Sequence, residues 1–262
     1  MNFKQIVYTF LLASVMSTSL SAQQIAIGNK HQIASEVLED TRSYSVYLPP
    51  SYGENLLKTY PVLYLMDGDY NFQYVSGLVE QLSSISAKIP EMIVVGLSDK
   101  GRSEYVKDCT PQNKKSSPDG RSAKYLEFLK MELIPKMDSL YLTSPCDFLV
   151  GQSIGGLFVI NALLDKPTYF QHYIAISPSV WWGDFSAKEQ VPRFYDDYEN
   201  LERTLYLTLA NEKGMGVLGF ADALDIGEFA DTYLKKTPLG LDYKFQQYPD
   251  ENHNSVGLVS IS

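Results

Sequence analysis

The sequence predicts an α/β fold with a mostly parallel central sheet and helices on both faces. Three observations carry that prediction. Residues 61–66 and 92–97 are continuous apolar runs, the pattern of strands buried on both faces. Such runs alternate with stretches of helical spacing, for example Tyr125, Phe128, Leu129, Leu133, Ile134 and Met137. Between one apolar run and one helix stands Gly151-Gln152-Ser153-Ile154-Gly155, a strand, sharp turn and helix in that order. Alternating strands and crossovers build parallel sheets, whose sites form at the carboxyl ends of the strands.

The elements follow in order. Lys4, the apolar stretch 6–16 and small residues through Ser21 and Ala22 read as a signal peptide of residues 1–22. The apolar stretch is short of the ~20 residues a membrane span needs. The remainder, 23–262, is expected to be one exported domain with no stable membrane insertion. Residues 32–38 and 42–48 alternate in character around Glu39-Asp40-Thr41 and predict an antiparallel hairpin. The strand at 61–66 ends at Asp67-Gly68-Asp69. A helix is expected over 74–88, stopped by Pro90, and a strand over 92–97. Residues 98–123 lack apolar periodicity and read as a long loop, a feature that is usually functional or mobile. A helix follows over 124–140, then the strand and helix around Ser153. Strands are expected at 173–176, 204–209 and 241–248, with a helix over 220–235 interrupted near Gly227.

Composition narrows the function. A net charge of −9 argues against nucleic acid and anionic membrane surfaces as partners. The 19 tyrosines suit a pocket lining or half-buried positions with a wet hydroxyl. Cys109 and Cys146 fall at opposite edges of the predicted sheet, so pairing is not expected, and neither has metal-site spacing. The sequence implies no cofactor and no metal. It is silent on oligomeric state.

The turn at Ser153 has chemical content. A serine at the tip of a strained turn needs neighbours without side chains, which Gly151 and Gly155 supply. The turn also aims the Ile154 N–H, at a helix N-terminus, toward a developing oxyanion. A serine hydroxyl needs a base, most often histidine. Of the three histidines, His31 lies before the hairpin and His172 enters a strand at the far edge. His253 follows the last strand and is the base by elimination. Glu212, after the preceding strand, is best placed to orient it; Asp184, Asp222 and Asp225 are rivals. A second oxyanion donor should come from the loop after an early strand, and the Asp69 N–H is the candidate there, although a plain polar turn reads the same way. Trp181 and Trp182 suit either a pocket wall or packing under a loop.

These residues carry a family resemblance. Tyr64-Leu65-Met66-Asp67-Gly68, Gly151-Gln152-Ser153-Ile154-Gly155-Gly156-Leu157-Phe158, Ser177-Pro178-Ser179-Val180-Trp181-Trp182 and Glu251-Asn252-His253-Asn254-Ser255-Val256 resemble the putative esterase group of α/β-hydrolases, over about residues 32–258. That group includes enterochelin and other siderophore esterases, feruloyl esterases, S-formylglutathione hydrolases and mycolyltransferases. The tryptophan pair and the final histidine motif look most like its siderophore-esterase branch. The resemblance implies an α/β-hydrolase fold, a Ser153, Glu212, His253 triad and an oxyanion hole from the Asp69 and Ile154 amides. Arg102 and Thr110-Pro111 resemble an Arg…Thr-Pro stretch near the family's site, which makes Arg102 a candidate pocket residue. Two departures stand out: Gln152 stands where the family often has histidine, and the chain stops nine residues after His253, so the closing helix that relatives usually place there is expected to be missing.

The expectation is a secreted serine esterase working through an acyl-enzyme on a small-molecule ester, such as a siderophore lactone, or on feruloyl or acetyl groups of a polysaccharide. The alternatives are a binding protein with an inactive site and an acyltransferase of the same fold.

Overall fold

A computed structural model describes residues 25–115, 117–198, 200–215, 226–234 and 239–261. The expected signal peptide lies outside the described residues, as do Asp222, Asp225 and both ends, 220–225 and 235, of the expected helix over 220–235. What is described of that stretch is helical, and includes a π-turn at Phe229–Tyr233.

Among the described residues, eight strands form one sheet in the order β1-β2-β4-β3-β5-β6-β7-β8. β1 (Asn29–Ser35) and β2 (Asp40–Tyr47) form the antiparallel hairpin. β2 joins β4 (Ile93–Leu97) antiparallel. All other pairings are parallel: β3 (Tyr60–Leu65) with β4 and with β5 (Thr143–Gln152), then β6 (His172–Ile176), β7 (Asn200–Asn211) and β8 (Leu239–Asn252). The hairpin turn falls at 36–39, earlier than expected, because Ser35 Oγ accepts the Leu38 amide and closes it there. This moves His31 into β1, at the sheet edge and stacked on Tyr44, rather than outside the sheet.

The helices also depart from simple periodicity. α1 (Gly68–Glu80) starts six residues earlier than its apolar stripe. Its first turn is held by backbone contact: a Cβ on Gly68 would stand 2.4 Å from the Gly96 carbonyl carbon. It runs on as a π-turn, Gln81–Ile85. The expected loop over 98–123 contains α2 (Arg102–Cys109). Its inward side is a mixture, Tyr105, Asp108 and Cys109 in place of leucines, so no apolar periodicity announced it. Asp108 is buried against Arg42 of β2, with Nη1–Oδ2 and Nη2–Oδ1 at 2.8 and 3.2 Å, and Arg121 Nε adds a bond of 2.6 Å. α3 (Ser122–Phe128) passes through a π-turn into α4 (Ile134–Leu140). α5 (Ile154–Asp165), α6 (Trp182–Asp197) and a five-residue α7 (Val256–Ser260) complete the set.

One face of the sheet packs the larger core, where α3, α5 and α6 bury Phe128, Phe158 and Phe194. The other carries α1 and α7, with Val75, Val79 and Val256 against Val150 and Ile176. Beyond α7 on that face, Ile174, Tyr206 and Tyr248 stay half-buried. Cys109 and Cys146 are both free thiols.

Candidate active site

β5 delivers Ser153. The residue takes φ 56° and ψ −119°, a conformation that L-residues avoid, at the step from strand to helix. The step is tight because Gly151 and the Gly155 carbonyl touch; a Cβ on Gly151 would lie 2.4 Å from that oxygen. The strained turn is held from β6: the Ser153 amide donates to the Ile176 carbonyl at 2.9 Å, and the Ser179 amide donates to the Ser153 carbonyl at 3.0 Å. The Ser153 hydroxyl shares a hydrogen bond of 3.2 Å with the buried Ser179 hydroxyl.

Neighbouring strands bring the acid to the base. Asn211 of β7 pairs with Asn252 of β8 across a register shift, so the next residues, Glu212 and His253, leave the sheet side by side. The Glu212 carboxylate is buried and accepts from His253 Nδ1, with oxygens at 3.1 and 3.0 Å. A carboxylate on Nδ1 holds the tautomer whose Nε2 is free to accept a proton. The Asn252 side chain accepts the amides of Asn254 and Ser255 at 2.9 and 3.2 Å and so shapes the turn that carries His253. Ser153, Glu212 and His253 thus sit at the same carboxyl edge of the sheet.

Ile154 is the first residue of α5 and Asp69 the second of α1, positions whose amides have no partner inside the helix. The Asp69 carboxylate accepts from Ser98 Oγ, the Asp99 amide and Lys30 Nζ at 2.6, 3.1 and 3.2 Å. Burial works against its charge, but these bonds hold its carboxyl below the usual range. Asp67, the cap before α1, takes φ 57°. Burial pushes its carboxyl up to about 6; the Tyr105 phenol pulls the other way, and Asp99 adds to the rise.

Trp181 and Trp182 follow directly after the Ser179 segment, half-buried, with ring centroids 5.5 Å apart. Arg102 is exposed at the start of α2, beside a groove of about 500 Å³ walled by Val106, Lys107, Thr110 and Pro118. The Thr110 hydroxyl donates to the Val106 carbonyl at 2.7 Å and caps that helix. Two contacts at the site have no counterpart in the sequence reading: Ser179 against Ser153, and Gln152 against the His253 backbone. The Ser-Pro-Ser stretch was the available signal for the first. For the second it was the unusual glutamine.

The family model described as "Putative esterase" matches residues 35–207. A ferri-bacillibactin esterase, BesA, of Bacillus subtilis is 29% identical over 261 residues, covering 85% of this chain and 83% of its own. The crystal structure of an IroE-like serine hydrolase from Shewanella oneidensis matches with a TM-score of 0.81 at 27% identity, over 89% of this chain and 77% of that one. The BES protein from Bacillus cereus shares the fold, with a TM-score of 0.79 at 23% identity over 93% of this chain and 96% of that one. With a mostly parallel sheet, a serine at the elbow after β5 and the family model spanning most of the chain, this protein belongs to the Putative esterase family of α/β-hydrolases and is a carboxylic-ester hydrolase.

Proposed function

We propose that the chain is an exported serine esterase that hydrolyses siderophore-type lactone esters through an acyl-enzyme. The observation that carries this reading is the Glu212–His253 pair standing at the same sheet edge as the strained Ser153. In the reaction Ser153 Oγ attacks the ester carbonyl while His253 Nε2 takes its proton. The tetrahedral oxyanion accepts hydrogen bonds from the Ile154 and Asp69 amides. The carbonyl then re-forms, the alkoxy group leaves with the proton from His253, and the acyl group stays on Ser153. Water, deprotonated by His253, repeats the addition and releases the acid. Glu212 stabilises the imidazolium in both halves. The Ser153 hydroxyl must turn from Ser179 toward His253 for attack, a bond that tightens as the substrate seats.

The substrate class rests on the similarity to BesA, a ferri-bacillibactin esterase by name. Arg102 supports it from this chain: an exposed cation beside a groove offers local positive charge to an anionic ligand despite the net charge of −9. Trp181 and Trp182 then wall the acyl side. Export is read from Lys4 and the apolar stretch that follows it.

The test is fluorophosphonate labelling of the purified chain beside Ser153→Ala, followed by turnover of p-nitrophenyl esters and of catecholate trilactones with and without iron. Labelling lost in the variant and trilactone cleavage are the expected results. A folded wild-type chain that takes no label would overturn the serine chemistry. Labelling with chromogenic-ester turnover but no trilactone cleavage would overturn the substrate class alone.

A further inference from the structure

We infer that Gln152 is a positioning residue that ties the loop of His253 to the strand of Ser153. The inference rests on the Ser153–His253 chemistry proposed above. Alternation along β5 puts Gln152 on the same face as Val150, the face that α1 and α7 cover. From there its Nε2 donates to the His253 backbone carbonyl. Its Oε1 meets Gly257 in α7 so closely that a Cβ there would stand 2.6 Å away. One side chain, on the residue preceding the nucleophile, is therefore held between the base's own backbone and the helix that follows it.

The rest of that segment is anchored elsewhere. Tyr74 Oη donates to the Leu258 carbonyl at 2.6 Å, Ser260 Oγ bonds Thr208 Oγ1 at 3.1 Å, and Val256 is fully buried. These contacts hold α7 to α1 and the sheet, but all lie past the turn. Gln152 alone among the described side chains outside the turn reaches the His253 backbone, and it does so from the position adjacent to Ser153. The spacing between nucleophile and base is thereby set through one rigid strand end. Glu212 fixes the rotation of the imidazole; Gln152 fixes where the loop carrying it sits. A cavity of about 40 Å³ lies beside Gln152, bordered by Tyr74, Asn71 and Gly257.

Misplacing a reacting group by about 1 Å costs on the order of 100-fold in rate. Gln152→Ala should therefore lower kcat on a chromogenic ester by roughly 10- to 100-fold, with KM within about twofold. Fluorophosphonate labelling of Ser153 should slow to match, and the melting temperature should stay near that of wild type. Gln152→Glu keeps the length but loses the donor, and should behave like Gln152→Ala. Because the contact is to backbone, the plateau of the pH–rate profile should fall in Gln152→Ala while its acid limb stays in place. Gly257→Ala, which pushes on Oε1 from the other side, should slow the wild-type background but cost little in the Gln152→Ala background. A wild-type kcat in either Gln152 variant, or a Gly257→Ala cost that is the same in both backgrounds, would overturn the inference. A wild-type chain that takes no label at all would instead overturn the esterase reading on which it rests.

Discussion

Glu212 sets both carboxylate oxygens on Nδ1 of His253, at 3.1 and 3.0 Å, although the two residues are 41 positions apart in the chain. The contact exists because β7 and β8, after a register shift past Ala210, pair again at Asn211 and Asn252. Glu212→Gln keeps the shape but offers Nδ1 a donor as readily as an acceptor, so the wrong tautomer is populated. The expected loss is roughly 10⁴-fold in kcat, by analogy with the same change in a Ser-His-Asp triad. Turnover within tenfold of wild type would move the role of the acid elsewhere, with Asp184 the next to examine.

Asp67 makes stability depend on pH in a stated direction. Its carboxyl rises from an ordinary value of 3.8 to about 6 in the folded chain, chiefly through burial. A raised pKa means that the folded state holds the proton more tightly than the unfolded state. The contribution is thus fully present below about pH 4 and is lost as pH rises through 6, by at most about 3 kcal/mol. Asp147, pushed up to about 7, acts in the same sense, so the test is a difference. Urea unfolding of wild type and Asp67→Asn from pH 4 to 7 should show wild type losing ground as pH rises. Parallel curves would refute this.

Gly151 and Gly77 should respond in opposite ways to alanine. At Gly151 the added Cβ would meet the Gly155 carbonyl at 2.4 Å, backbone against backbone, in the turn that carries Ser153. A cost of about 2 kcal/mol or more and loss of serine labelling are expected. At Gly77, exposed in the middle of α1, nothing lies within 4 Å, and alanine should stabilise by about 0.5–1 kcal/mol. Thermal melts of the two variants decide it.

Asp108 anchors α2, the helix that presents Arg102. Its carboxylate holds the buried Arg42 and the partly exposed Arg121. Asp108→Ala leaves the Arg42 charge buried, with only Asp40, 3.6 Å away, to face it. The expected cost is about 3–5 kcal/mol in urea unfolding. Replacing both residues with apolar ones, Arg42→Met with Asp108→Leu, should recover most of it. If the double variant is as unstable as the single one, the pair contributes more than the neutralisation of a buried charge.

What the sequence determined by itself was whatever depends on local pattern. Buried parallel strands read as unbroken apolar runs because helices cover both their faces, so β3, β4 and β5 were plain. The Ser153 turn was legible because only glycine fits two residues on either side of it. The nearness of Glu212 to His253 was legible because chain order places strand ends along one edge. What escaped were contacts with no repeat behind them. α2 was hidden because its inner face is Tyr105, Cys109 and an ion pair at Asp108 rather than leucines. α1 began early because of one backbone approach, Gly68 on Gly96. The Ser153–Ser179 bond and the reach of Gln152 to the His253 carbonyl are meetings of residues 26 and 101 positions apart. Distance, register and which side chain fills which gap belong to the packed molecule, because hydrogen bonds are decided within tenths of an ångström and no spacing along the chain encodes that.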